Sequence, residues 1–164
     1  MQGSVTQRCL AFCRRTPGRT ARITLACRLL PWLTVALYGG LLLFWALQKQ
    51  PEQFWRVLLI PLGELAAATL LRFALDLPRP CEKEDIVPLL PHRPGRSCPS
   101  RHASSAAVIT CACFYTCWPL GVAAAVLALI VAGTRVVSGV HAVRDVVCGL
   151  LFGGLWGALL FFWI

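Results

Sequence analysis

The stretch Cys98-Pro99-Ser100-Arg101-His102 sets a hydroxyl, a guanidinium and an imidazole side by side, directly ahead of an apolar segment. Two other places combine such groups: Arg72 with Arg79, and Arg135 with His141 and Asp145. Guanidinium groups gathered at one point repel each other and need an anion between them. Phosphate suits them, because a planar guanidinium binds its oxygens bidentately. His141 and Asp145 are four residues apart, so on a helix they share a face. A carboxylate bonded to one ring nitrogen fixes the tautomer and leaves the other nitrogen free to attack. His102 comes from a different segment and can act as general acid from the opposite side. Together the two imidazoles can break a phosphate ester or anhydride. Charge on the transferred phosphoryl group would be held by Arg72, Arg79, Arg101, Arg135, Ser100 and backbone N–H groups at the start of the segment that follows. The scheme calls for no metal and no cofactor.

These residues must be positioned by apolar segments. The chain has 164 residues, of which 57% are hydrophobic and only 14% charged, a composition far from that of a soluble domain. Five apolar runs stand out, at 29–47, 54–75, 103–118, 120–134 and 146–164. A helix needs about 20 residues to cross the hydrocarbon, so the third and fourth are short and would borrow flanking residues. The reading is an all-α, multi-pass transmembrane bundle of about five spans. It divides into a basic arm, residues 1–28, interfacial or flexible, and one membrane domain, residues 29–164. Alternating spans bring the end of the second, the start of the third and the link between the fourth and fifth to one membrane face. Those are the places where the polar clusters fall. The stretch from Arg79 to Arg101, with Pro80, Pro88, Pro91, Pro94 and Pro99, reads as an ordered loop on the membrane surface.

The net charge is +9, and Arg8, Arg14, Arg15, Arg19, Arg22 and Arg28 all precede the first acidic residue, Glu52. Beside an apolar span, such an arm suits anionic lipid headgroups rather than nucleic acid. Gly149, Gly153 and Gly157 recur every four residues, which lets a neighbouring helix approach closely. Internal packing is the preferred use of that face and a homodimer seam the alternative. Glu64 lies mid-span, where an ionisable group is expensive. It reads chiefly as an interhelical hydrogen-bonding residue, with pairing to Arg28 or Arg72, or a place near a substrate, as alternatives. Cys81 and Cys98 bracket the polar loop and could be bridged if that loop meets an oxidising compartment.

With these residues in view, the chain resembles the type 2 phosphatidic acid phosphatase (PAP2) superfamily. That family carries Lys or Arg, six residues, then Arg-Pro, as in Arg72 to Pro80 here; Pro-Ser-Gly-His, here Pro99 to His102; and Ser-Arg, five residues, His, three residues, Asp, here Thr134 to Asp145. The resemblance implies an all-α core like that of the PAP2 enzymes and chloroperoxidases. It also implies roles: His141 forms a phosphohistidine, Asp145 orients it, and His102 protonates the leaving group. Arg72, Arg79, Ser100 and Arg135 hold the phosphate. Arg101 departs from the family's usual glycine and resembles the Pro-Ser-Arg-His form of small bacterial members; an extra cation there suits a diphosphate. Thr134 replaces serine and keeps the hydroxyl. The family commonly has six spans where five are counted here.

The expected activity is hydrolysis of a membrane lipid phosphate, with undecaprenyl or another polyprenyl diphosphate first. Phosphatidate and phosphatidylglycerophosphate are the same-class alternatives. A catalytically silent lipid-phosphate binder is the rival of another class, and the intact His102, His141 and Asp145 speak against it. The resemblance implies a cell-membrane protein with its site on the outer face. The positive-inside rule, applied to five spans and the basic arm, points instead to the cytoplasm.

Overall fold

In a bilayer every backbone N–H and C=O must be satisfied within the protein, and uninterrupted helix is the simplest way to do so. A computed structural model of the chain describes residues 5–83, 86–90 and 95–164, and no strand occurs among them. The helices are α1 (Val5–Arg14), α2 (Pro17–Leu47), α3 (Pro51–Leu75), the single turn α4 (Pro80–Lys83), α5 (Arg101–Thr116), α6 (Trp118–Val137) and α7 (Val143–Phe162). Pro91 and Pro94 of the polar loop lie outside the described residues.

Each of the five apolar runs is a helix, and α2, α3, α6 and α7 are long and apolar enough to cross a membrane. With 16 residues, α5 extends about 24 Å at 1.5 Å per residue. It need not meet lipid along its whole length. Packed against α3, α6 and α7, it buries Ala103, Ala106, Val108, Ala112 and Cys113. The first run differs most from expectation. Its helix starts at Pro17 instead of Leu29 and passes residue 28 without interruption. Its 31 residues extend about 46 Å, well beyond the thickness of a hydrocarbon layer of about 30 Å. The ten residues of α1 are too few for a sixth span. Trp55, Trp118 and Trp163 are exposed at the helix ends remote from the polar clusters, where amphipathic rings meet the membrane–water boundary.

Two prolines sit inside helices without ending them. Pro31 in α2 has no N–H to give the Cys27 carbonyl, and Pro61 in α3 none to give that of Val57. Both carbonyls are claimed from another helix. Arg135 Nη2 donates to Cys27 O, and the Tyr38 hydroxyl donates to Val57 O at 3.1 Å.

The glycine face of α7 is filled by α5 of the same chain. A Cβ on Gly149 would stand 2.6 Å from Ser100 O, one on Gly157 2.7 Å from Cys111 Cβ, and one on Gly153 would overlap the backbone of Ser104. That is the internal-packing use of the stripe. The two helices run in the same direction, so Ser100 and Asp145 begin them side by side, with Ser100 N–H donating to Asp145 O at 2.9 Å.

Candidate active site

The apposed starts of α5 and α7 bring the separated polar stretches to one end of the bundle. His141 sits in the turn between α6 and α7, which reverses at Gly139 with φ of +77°. A side chain there would also press on Leu10 of α1. The turn is braced from outside as well: Leu89 N–H donates to Ser138 O at 2.9 Å, and Cys13 Sγ approaches Val137 O. His141 N–H closes the turn onto Arg135 O at 3.2 Å. The imidazole is buried, as are Asp145, Ser100, Arg72, Arg79 and Arg135.

Around the ring the contacts are specific. Asp145 Oδ2 accepts from Ala142 N–H at 3.0 Å and from the Ser97 hydroxyl. His141 Nδ1 lies 3.3 Å from Ser97 Oγ and 3.8 Å from Asp145 Oδ2. Arg79 Nη1 donates to Val140 O at 3.2 Å, tying the second arginine of the Arg72–Arg79 pair to the residue before His141. Arg72 is turned toward the loop ahead of α5. Its Nη1 donates to Pro99 O at 3.0 Å, and its Nη2 to Arg96 O. Arg72 thereby staples the 96–99 backbone under the start of α5.

Arg101 and His102, in the first turn of α5, are more exposed. With Arg28, Arg135 and Ser105 they line a cavity of about 490 Å³, whose apolar wall includes Pro31, Trp32, Val35, Leu65 and Ile109. Among the described residues no carboxylate lines it. Three donors, Arg79 Nε, Ser100 Oγ and Arg135 Nε, are buried without a hydrogen-bond partner among the described residues. Buried donors are ordinarily paired, and a phosphate carries the acceptors that these lack.

Ser97 and Arg28 are absent from the site expected from sequence. A serine just ahead of Cys98-Pro99 has no spacing that marks it, and Arg28 looks like one more member of a basic arm. Glu64 is fully buried on α3, where the Ser105 hydroxyl approaches Oε2 at 3.5 Å. It thus faces α5 instead of pairing with Arg28 or Arg72. Cys81 and Cys98 are both free thiols. Burial, together with the neighbouring thiol of Cys148, pushes Cys98 up to about 11.

The family model of the PAP2 superfamily matches residues 53–164. The chain belongs to the PAP2 superfamily. Among solved structures it is similar to LpxE of Aquifex aeolicus, at 22% identity and a TM-score of 0.76, over 95% of this chain and 92% of that one. It is also similar to a transmembrane PAP2-type phosphatidylglycerolphosphate phosphatase from Bacillus subtilis, at 25% identity and a TM-score of 0.67, over 94% of this chain and 80% of that one. A comparison with curated protein sequences finds no match. The chain is a multi-pass membrane protein with the fold of PAP2-type lipid phosphatases.

Burial pushes the His141 imidazole below its ordinary value; the nearby Asp145 carboxylate pulls it up, and Arg79 and Arg72 push it down. The neutral ring, with its lone pair, is therefore favoured relative to a free histidine of pKa about 6.5. An NMR titration should place the His141 midpoint below 6.5, with R79Q raising it and D145N lowering it. A midpoint above 6.5, or shifts of the opposite sign, would contradict this electrostatic picture.

Proposed function

We propose that the protein is a lipid phosphate phosphohydrolase that works through a phosphohistidine on His141, with a polyprenyl diphosphate, undecaprenyl diphosphate first, as its substrate. The carrying observation is the set of buried, unpartnered donors, Arg79 Nε, Ser100 Oγ and Arg135 Nε, at the end of the bundle that holds His141. His141 Nε2 attacks the terminal phosphorus, and the P–O bond to the lipid phosphate breaks. The departing oxygen takes the electron pair and a proton from His102. Asp145 stabilises the charge gained by the ring. Water, giving a proton to the now neutral His102, then attacks the phosphorus; the N–P bond breaks with its electron pair returning to Nε2, releasing inorganic phosphate and restoring both histidines. Arg79, Arg135 and Ser100 hold the phosphoryl oxygens, and Arg72 reaches them or fixes the loop that does. The guanidinium groups supply the positive charge that a metal supplies in other phosphatases, so turnover needs no metal.

The diphosphate is favoured by the cavity. Arg28, Arg101, His102 and Arg135 face it with no lining carboxylate among the described residues, above an apolar wall that suits a lipid chain. The second reading is a phosphatidylglycerophosphate phosphatase, favoured by the 25% identity to the Bacillus subtilis enzyme of that description. Purified protein in detergent with chelator present should release phosphate from a polyprenyl diphosphate. R101G should lower that rate about tenfold or more, the scale of one charge-assisted hydrogen bond, and spare monophosphates. Equal losses on both would remove the second-phosphate role of Arg101. Preference of the wild type for phosphatidylglycerophosphate would select the second reading.

The site faces the outside of the cell membrane in this proposal, with the arm held at the lipid surface on the same side. In intact cells a membrane-impermeant maleimide should then label Cys81, at the site end, and leave Cys117, exposed at the α5–α6 junction, unlabelled. The reverse pattern would place the site in the cytoplasm.

A further inference from the structure

Asp145 and His141 are expected to touch, and they do not. At 3.8 Å, Oδ2 and Nδ1 are beyond hydrogen-bonding range. Ser97 stands between them, fully buried, its hydroxyl 3.3 Å from Nδ1 and bonded to Oδ2. An ionised carboxylate can only accept, so the single hydroxyl proton of Ser97 goes to Asp145. The oxygen of Ser97 is then left to accept, and its neighbour is Nδ1. The proton on the ring is thereby fixed at Nδ1, and the lone pair belongs to Nε2. Asp145 is held for this arrangement from other sides. Ala142 N–H occupies the same Oδ2 at 3.0 Å, and Arg144 Nε lies 3.4 Å from Oδ1.

The placement of Ser97 is itself anchored. Its N–H donates to Leu77 O at 2.7 Å, and its C=O accepts from Arg72 Nη1 at 3.4 Å. Two segments that carry no ring contact, the end of α3 and the strand of loop after it, thus hold one hydroxyl in register with His141. Ser97 lies outside the stretches 72–80, 99–102 and 134–145 that carry the family's pattern.

We propose that Ser97 is a positioning residue that couples Asp145 to His141, so that the dyad works as a three-membered relay, Asp145–Ser97–His141. The relay rests on the reading of His141 as nucleophile. As Nε2 bonds to phosphorus the ring becomes cationic. The Nδ1–H···Oγ–H···Oδ2 chain then carries the stabilisation from the carboxylate, with no proton leaving the ring. A lost link weakens attack and leaves substrate binding largely alone.

Two measurements on the full-length protein in detergent test this. In S97A, kcat on a lipid phosphate should fall about 10- to 100-fold, the scale of one charge-assisted hydrogen bond, with KM within about twofold. S97T, which restores the hydroxyl, should recover much of the loss. Independently of any substrate, the ¹⁵N spectrum of the ring should show a single tautomer in the wild type, protonated at Nδ1, and a mixture in S97A. The chain has only three histidines, so H141Q identifies the signal. An unchanged kcat and spectrum in S97A would overturn the relay, and so would a wild-type ring protonated at Nε2, even if S97A fails to fold. A wild type that hydrolyses no lipid phosphate yet shows an Nδ1 tautomer that S97A loses would sink the proposed function and leave standing only the fixing of the ring by Ser97.

Discussion

The contact on which the site depends is the close approach of α5 and α7. Three glycines on α7 let the α5 backbone approach within reach of Ser100 and Ser104. Ser100 N–H then meets Asp145 O, and two stretches separated by more than forty residues share one polar centre. A side chain at Gly153 would drive the helices apart, and overpacking of this kind costs about 1–3 kcal/mol. The larger loss would be geometric. His141, Asp145 and Ser97 would no longer share hydrogen bonds with the loop that begins α5.

Within an apolar bundle, buried cations are tolerable only if the chain supplies acceptors for them. This one supplies backbone carbonyls in unusual places. Arg72 takes those of residues 96, 97 and 99 in the loop ahead of α5. Arg135 takes the carbonyl that Pro31 leaves free in α2. In each case some guanidinium N–H groups are spent on the fold, while Arg135 Nε and Arg79 Nε have no partner among the described residues. The proline in α2 is thus part of what aims Arg135, although it lies outside the residues that the family model matches.

Much of this was readable in the amino-acid sequence. Apolar runs gave the helices, their alternation gave the common end, and the four-residue glycine spacing gave the internal seam. The Arg, His and Asp positions were legible because their spacing is itself the signal. What escaped reading had no such period. Pro31 looks like any other residue of an apolar run and Arg28 like the last of a basic arm, so the sequence starts the span at Leu29 where the helix begins at Pro17. Their meaning lies in another helix, in the Arg135 guanidinium and in a cavity wall. Ser97 is one of several small polar residues in a proline-rich loop, and only tertiary packing sets it between His141 and Asp145. Cys98 had an apparent partner across the loop in Cys81, but the neighbouring thiol belongs to α7.

The central claim is that His141 accepts the phosphoryl group. The direct measurement is rapid quenching of the protein during turnover of a lipid diphosphate, followed by peptide mapping by mass spectrometry under alkaline conditions that preserve phosphohistidine. The account predicts one phosphorylated residue, His141, absent when the substrate is omitted and accumulating if the second step is slowed. Phosphate on His102 or on a serine, or rapid hydrolysis with no phosphorylated peptide at any quench time, would contradict it.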